Sequence, residues 1–265
     1  MAITIIFGKP RIGKTVLLTH FLNTAMYDRE RTKQMTGAIA AKNLGGFGLS
    51  MPAHTVFANF LVHGKKWGYT RKTSYFVNPF KLGFYNQDVP ALFLPPFAVI
   101  GITEGQKYFD SRKSLKYPSW QSRFFEQHGH NNYDIYIDVQ RPDLIDLNIR
   151  ELSYFIEIIS KENIYNKHGK QVAISWIVRR YNGYKELKEG KGELEKILAP
   201  YNVHLCYNSQ MCEPKFYDGH FEQDFDLHLA QSVEPTPQGY REYLTKFDDE
   251  EPEGFYQDKR SKKNV

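Results

Sequence analysis

The sequence predicts an α/β fold in which helices flank a central, mainly parallel β-sheet and an antiparallel β-hairpin is added. Two patterns indicate this fold. Up to Leu152, short apolar segments rich in β-branched residues alternate with segments whose apolar residues recur every three or four positions, as in βαβ units. Beyond that point, two long strand-like segments surround a turn at 166–169, which is typical of a hairpin.

Strands and helices are predicted in alternation along the first part of the chain. The strand pattern covers residues 1–9, 55–60, 97–102 and 133–139, and the helical pattern begins at residue 13 and recurs at 120–127 and 142–152. In the fourth strand, Ile135, Ile137 and Val139 alternate with Tyr136 and Asp138. Residues 28–53 are polar and rich in glycine, so we predict a flexible excursion there, within an insertion at about 28–92.

The sequence after the hairpin is less regular. Residues 193–198 are predicted to form a turn of helix and residues 203–207 a strand, and together they complete a domain that spans residues 1–230. Residues 231–265 contain few aliphatic side chains, an acidic cluster and a basic end. We therefore predict a disordered, charged tail.

Composition excludes several classes of protein. Hydrophobic residues make up 41% of the 265 residues and aromatic residues 15%, which suffices for a core and excludes wholesale disorder. The two cysteines, Cys206 and Cys212, have no second pair nearby, so neither a zinc site nor a disulfide framework is predicted. The sequence contains neither a signal-peptide pattern nor an apolar run of ~20 residues, and we expect a cytoplasmic protein without a transmembrane segment.

Residues 8–15 read Gly-Lys-Pro-Arg-Ile-Gly-Lys-Thr and match the pattern of a phosphate-binding loop. Glycines let backbone N–H groups surround a phosphate, the start of the next helix favours an anion, Lys14 reaches the β and γ oxygens, and Thr15 ligates Mg²⁺. Because the loop lies between a strand and a helix, it predicts a P-loop NTPase fold that binds ATP and Mg²⁺; a merely tight turn is the alternative. The predicted nucleotide-binding residues are Gly8, Lys9, Pro10, Arg11, Ile12, Gly13, Lys14, Thr15 and Val16.

A nucleotide hydrolase that uses Mg²⁺ also needs a second strand that ends in acidic residues. The third predicted strand ends at Thr103 and Glu104, so Glu104 is the candidate catalytic base, unless it only precedes a helix, where a carboxylate is favoured anyway. Thr103 stands where an aspartate is expected. Gln140 ends the fourth strand and can contact the γ-phosphate if that strand lies between the first and the third; a surface glutamine is the alternative.

Three arginines could stabilise charge on a transferred phosphate from a neighbouring subunit, as an arginine finger does. Arg112 and Arg123 are the main candidates for this arginine finger and Arg141 is a third, and the sequence does not distinguish among them. For each one, a solvated surface arginine is the alternative. His128 and His130 have no carboxylate at metal-ligand spacing, so we interpret them as loop residues.

The order of these motifs resembles the zonular occludens toxin (Zot) family, the assembly ATPases of filamentous phages within the FtsK/HerA-type P-loop ATPases. The resemblance covers residues 1–209. It rests on the loop at 8–15, the strand that ends in Glu104-Gly105-Gln106, Phe109 and Arg112, and the segment from Tyr133-Asp134-Ile135 to Gln140-Arg141-Pro142.

The resemblance implies a ring-forming, ATP-driven motor for viral DNA packaging, virion assembly or export, in the host cytoplasm if the protein is phage-encoded. It implies ATP binding by the loop, water activation by Glu104 and sensing by Gln140. Two departures stand out. The family's Asp-Glu-Ala-Gln is Thr-Glu-Gly-Gln here, at 103–106, and the usual transmembrane helix is missing from this sequence, which calls for a membrane or capsid protein as partner. A nucleotide-binding structural or scaffolding switch with little turnover is the alternative that Thr103 favours.

Charge is unevenly distributed. The net charge is +5, yet no Asp or Glu occurs between Arg31 and Gln87. Within residues 54–87, basic residues such as Lys65, Lys66, Arg71 and Lys72 are interleaved with aromatic residues such as Trp67, Tyr69 and Tyr75. Cations beside stacking rings can hold single-stranded DNA. The alternative is an insertion whose rings pack on the core while its lysines face solvent.

Overall fold

The structure is a computed structural model, and it describes residues 1–41, 53–64, 72–77, 79, 82, 94–112, 119–200 and 203. Within them, the strands are β1 (Ile3–Gly8), β2 (Val56–Ala58), β3 (His63–Gly64), β4 (Lys72–Thr73), β5 (Tyr75–Phe76), β6 (Val99–Ile102), β7 (Asp134–Asp138), β8 (Ser153–Tyr165), β9 (Gln171–Tyr181) and β10 (Glu193–Pro200). The α-helices are α1 (Lys14–Met26), α2 (Arg29–Ala41), α3 (Ser119–Glu126), α4 (Leu147–Glu151) and α5 (Tyr184–Glu189).

Among these strands, eight form one sheet in the order β10-β9-β8-β1-β7-β6-β2-β5. The pairs from β8 through β1, β7, β6 and β2 to β5 are parallel, whereas β8, β9 and β10 pair antiparallel. This is the predicted P-loop NTPase fold, with a mainly parallel sheet and an added hairpin. Strand β7 separates β1 from β6, which confirms the arrangement on which the interpretation of Gln140 depended.

Both faces of the sheet are covered, so the side chains from Ile3 to Ile6 on β1 are buried whichever face they point to. Ile5 and Ile137 belong to the core cluster that includes Phe124 and Phe125 of α3, and Ile6 belongs to the cluster formed with α1. Successive side chains of a strand point to opposite faces. The loop at 8–15 connects β1 to α1, and α1 packs on the face of the sheet to which Ile6 points.

The prediction of a flexible excursion is wrong for its first part, because residues 29–41 form helix α2. Asp28 begins this helix by accepting a hydrogen bond from the backbone N–H of Arg31 at 3.0 Å. Met35 and Ile39, four positions apart, are fully buried. The helix therefore forms because a few apolar residues at helical spacing and a good N-cap outweigh the polar composition.

The prediction of a helical turn at 193–198 is also wrong, because β10 occupies this segment. Its residues pair with β9, from Glu193 opposite Arg180 to Pro200 opposite Ala173. Ile197 and Ala199 are buried while their neighbours are exposed, which is the period of a strand that covers one face of a sheet. Pairing with the long hairpin thus decides the conformation.

The helix predicted over 142–152 is broken into two pieces. A 3₁₀ turn covers Pro142–Leu144 and α4 begins after Asp146, whose side chain accepts a hydrogen bond from the Asn148 N–H at 2.9 Å. Asp146 thus acts as the N-cap of α4 and restarts the helix.

Several predictions fall outside the described residues. They include most of the strand at 203–207, where only Val203 is described, both cysteines, and the tail at 231–265. The division into a domain at 1–230 and a tail therefore stays a prediction. In the part of the chain that the structure describes, no helix is long and apolar enough to cross a membrane.

Candidate nucleotide site

The loop between β1 and α1 combines a left-handed glycine with a lysine that folds back over the loop. Gly13 has φ +90°, a left-handed conformation that favours glycine, and it directly precedes the first turn of α1. The Lys14 ammonium donates hydrogen bonds to the carbonyl oxygens of Gly8 and Lys9, both at 3.3 Å. Lys14 therefore folds back over its own loop, at the positive end of a helix, where a phosphate is favoured.

The side chains of the other predicted loop residues differ in their exposure to solvent. Lys9, Pro10 and Arg11 are exposed, whereas Ile12 packs partly against the core. The Val16 side chain is buried in the core on the sheet side of α1. Val16 can thus offer a ligand only its backbone, as expected for a residue in the first turn of a helix.

A buried carboxylate lies beside Thr15. The Thr15 hydroxyl donates to Asp138 Oδ2 at 2.9 Å, and the Thr103 hydroxyl donates to both carboxylate oxygens, at 3.2 and 3.0 Å. The backbone N–H of Glu104 donates to Asp138 Oδ1 at 2.9 Å. The ends of β6 and β7 and the start of α1 are therefore joined through one side chain.

Asp138 is 1% exposed, and burial raises its pKa to about 6 from an ordinary 3.8. Hydrogen bonds from the Glu104 N–H and the Thr15 and Thr103 hydroxyls oppose this shift without cancelling it. The donors that face this carboxylate are neutral. No Lys or Arg in the described part of the chain forms an ion pair with it.

Glu104 is held in a fixed turn at the end of β6. Its φ of 55° is left-handed, and a single 3₁₀ turn, Gly105–Lys107, follows it. The Gln106 amide donates to the Glu104 carboxylate, so the two polar members of the Glu-x-Gln motif pair with each other. The buried Asn59 side chain accepts from the Thr103 N–H at 2.9 Å and donates to the Thr103 carbonyl at 3.2 Å. These contacts hold the backbone that presents Glu104.

Gly105 explains one departure from the resembled motif. A Cβ atom built there would lie 2.2 Å from Cγ2 of Ile137 on β7. An alanine therefore cannot be accommodated without a shift in this part of the sheet, and the residue after Glu104 must be glycine in this packing.

The remaining candidates lie at the surface. Gln140 is exposed two residues beyond β7, and Arg123 is exposed on α3. Arg112 is 82% exposed and pairs with Asp110 at 2.8 Å, and Arg141 lies 3.5 Å from Asp143. Among the described residues, no hydrogen bond or ion pair links these side chains to Lys14, Thr15 or Glu104. Their roles stay predictions.

Hard oxygen donors dominate the site. Thr15, Thr103 and Asp138 offer hydroxyl and carboxylate oxygens, the ligand types that Mg²⁺ takes, and Mg²⁺ is usually held by one or two carboxylates together with phosphates. No group of three or more His, Cys, Asp or Glu side chains that could hold a metal ion occurs within the residues that the structure describes. The donor set fits Mg²⁺ bound with a nucleotide. His128 faces the backbone carbonyl of Phe125 at 2.7 Å, as a loop residue does.

The acid-free basic stretch is described only in part. Tyr75 is 2% exposed and its ring stacks on His54, so this ring is not available to a base. The Lys72 ammonium donates to the Ala53 carbonyl at 3.0 Å. For these two residues the packing interpretation is favoured; Lys65, Lys66, Trp67, Tyr69 and Arg71 lie outside the described residues.

No family model matches the sequence, and no curated protein matches it. Among solved structures, the chain is similar to the N-terminal domain of zonular occludens toxin from Neisseria meningitidis, with 17% identity, a TM-score of 0.46, and coverage of 78% of this chain and 98% of that one. It is also similar to the genome packaging NTPase B204 from Sulfolobus turreted icosahedral virus 2, with 12% identity, a TM-score of 0.37, and coverage of 74% and 94%. These likenesses concern the fold alone. The Zot family that the motifs resemble is thus represented among these structures.

Asp138 is the site residue that the sequence interpretation missed. It was visible only as the polar partner in the alternation of β7, which is the ordinary pattern of a strand with one solvated side. The signal that could have found it is its position, since it ends an apolar strand whose neighbours in the sheet end at the loop and at Glu104.

Proposed function

We propose that this protein is a P-loop ATPase that binds ATP and Mg²⁺ at the loop formed by residues 8–15. One observation carries the proposal. The Lys14 ammonium and the first turn of α1 converge on the loop, while Thr15 is joined through Asp138 to the turn that presents Glu104. A phosphate group held by the loop would thus meet a cation, a helix N-terminus and a nearby carboxylate.

Each residue has a defined task in this proposal. Lys14 exchanges its two backbone carbonyl partners for phosphate oxygens, and Thr15 offers its hydroxyl to Mg²⁺. The metal would supply charge neutralisation on the phosphates. Glu104 accepts a proton from the attacking water, and Gln106 fixes the direction of its carboxylate through their hydrogen bond.

The wider role we propose is an ATP-driven motor for viral DNA packaging, virion assembly or export, working as a homo-oligomeric ring. The order of the motifs supports it. Single-stranded DNA at residues 54–87 and a membrane or capsid protein are the proposed partners. A nucleotide-binding switch with little turnover is the second candidate, favoured by Thr103 in place of an acidic residue.

The first test is ATP binding by calorimetry. Lys14→Ala should weaken ATP binding by about 10²-fold or more, because a charge-assisted contact to two phosphates is lost. Lys33→Ala is the matched control, since Lys33 is exposed and pairs with Glu30 on α2. Equal affinity of the Lys14→Ala protein and the parent would refute the nucleotide site.

Hydrolysis then separates the motor from the switch. Glu104→Gln should retain ATP and lower kcat by about 10²-fold or more. Glu151→Gln, an exposed glutamate at the end of α4, is the control. Turnover that rises with single-stranded DNA supports the motor, whereas ATP binding without turnover, with or without DNA, supports the switch.

A further inference from the structure

We infer that Asp138, at the end of β7, supplies the carboxylate of the Mg²⁺ site in place of an acidic residue at position 103. The inference rests on the proposed function and names a residue that the motif pattern does not contain. The carboxylate thus lies at the end of β7 and not at the end of β6, and β7 is the strand closer to the loop.

The register of the sheet allows this exchange. Ile102 of β6 pairs with Ile137 of β7 in parallel, so the residues that follow, Thr103 and Asp138, lie level with each other. Adjacent strands are only about 4.8 Å apart. Because β7 lies between β6 and β1, a carboxylate at the end of β7 is one strand nearer to the loop than a carboxylate at position 103.

The alternation of β7 directs the side chain to the correct face. Ile137 and Val139 belong to the core on the side of α3, so Asp138 between them points to the side of α1. There it meets the Thr15 hydroxyl at 2.9 Å. The carboxylate therefore contacts the one loop side chain that offers an oxygen to a metal.

Glu104 does not compete for this role. Its carboxylate accepts a hydrogen bond from the Gln106 amide, and the hydrogen bond that joins Glu104 to Asp138 comes from the Glu104 backbone N–H. Thr103 keeps a function too, because its hydroxyl donates to both oxygens of Asp138 and so fixes the orientation of that carboxylate. Thr103 is thus a positioning residue for Asp138.

The experiment compares ATP affinity in EDTA and in excess MgCl₂, using the full chain and titration calorimetry. The dissociation constant in EDTA divided by the dissociation constant in MgCl₂ measures how strongly Mg²⁺ and ATP bind together. In Asp138→Asn this ratio should fall about tenfold or more, as expected for loss of a group that supports a metal. Affinity in EDTA should be unchanged or tighter, because a negative charge near the phosphates is removed.

Asp134→Asn is the matched control, because Asp134 lies at the other end of β7 from Asp138. This variant should keep the parent ratio. Binding of Mn²⁺ in the presence of ATP, followed by electron paramagnetic resonance, should be lost in parallel in Asp138→Asn alone. If the asparagine variant does not fold, Asp138→Ser replaces it under the same criteria.

The outcomes are distinguishable. A parent ratio retained in the Asp138 variant, or a ratio that falls in Glu104→Gln and not in the Asp138 variant, overturns this inference while the nucleotide site stands. A parent protein that binds ATP in neither condition overturns the proposed function and the inference with it. A ratio that falls only in the Asp138 variant supports both.

Discussion

Strand β7 carries an aspartate at each end, and the two carboxylates have different partners. At the amino end, Asp134 is 20% exposed, pairs with the Arg31 guanidinium and accepts from the Ala2 N–H at 2.9 Å. At the carboxyl end, Asp138 is 1% exposed, and its partners among the described residues are hydroxyl and N–H groups. A buried carboxylate without a cation is costly, whereas a paired one is tolerated. The comparison indicates that one end of the strand is arranged for stability and the other to receive a cation.

Backbone strain does not separate the two ends. Glu104 at the carboxyl side has φ 55°, but Phe97 and Asn132 at the amino side have φ values of 68° and 58°. The carbonyls of Phe97 and Asn132 both accept hydrogen bonds from Arg31, which also pairs with Asp134. What distinguishes the ends is therefore whether the carboxylate is paired with a cation among the described residues, as Asp134 is with Arg31 and Asp138 is not.

The largest expected effect is on the paired end. Asp134→Ala should lower the free energy of unfolding by about 3 kcal/mol, because it leaves the Arg31 charge mostly buried and without its carboxylate. Chemical denaturation measures this. Glu30→Ala is the control, since the Glu30–Lys33 pair is exposed and should be worth less than about 0.5 kcal/mol. A loss below 1 kcal/mol at Asp134 would mean that the two ends do not differ as stated.

The second expected effect is a gain in the free energy of unfolding, from a substitution at the other end of β7. Because burial raises the pKa of Asp138 to about 6 from 3.8, the folded state binds more protons than the unfolded state between these values, and stability is lost as the pH rises through this window. Asp138→Asn removes the ionisation. In EDTA, the variant should therefore be more stable than the parent at pH 8, by about 2–3 kcal/mol at most, with the difference shrinking toward pH 4.

Denaturation of the two proteins in parallel at pH 4.5, 6 and 8 measures this difference, and titrating groups that do not interact with Asp138 cancel in it. With Mg²⁺ and ATP present, the advantage of the variant should shrink, because the parent then gains more from ligand binding. A variant that is less stable than the parent at pH 8 in EDTA would show that Asp138 is a structural residue.

The same comparison explains what could be predicted from the sequence. The apolar strands β1 and β7 and the loop at 8–15 were predictable, because each is defined by residues adjacent in sequence. Asp138 was not, since its pattern with Tyr136 resembles a solvated side of a strand. Only the packed structure shows that α1 covers this side, where Thr15 contacts Asp138 and Phe21 stacks on Tyr136. Its role depends on neighbours 35 and 123 residues away.

The wrong element predictions have a related cause. The segment at 193–198 contains charged residues compatible with a helix, but pairing with β9 makes it a strand. Helix α2 is polar along most of its length and is fixed by Arg31, which reaches the carbonyls of Phe97 and Asn132 and pairs with Asp134, and by the buried Met35 and Ile39. In both cases distant partners decide a conformation that local propensity leaves open.

The smallest expected effect is on the backbone of Glu104. A non-glycine residue in the left-handed region costs about 1 kcal/mol or more, so Glu104→Gly should raise the free energy of unfolding by about 0.5–1 kcal/mol, although it removes the bond to Gln106. Asn132→Gly is the matched control and should be nearly neutral, because asparagine tolerates φ 58°. In the proposed function, Glu104→Gly also abolishes turnover. Gain of stability together with loss of turnover would mean that this strained glutamate is kept for chemistry, whereas loss of more than about 1 kcal/mol would mean that its side chain stabilises the fold.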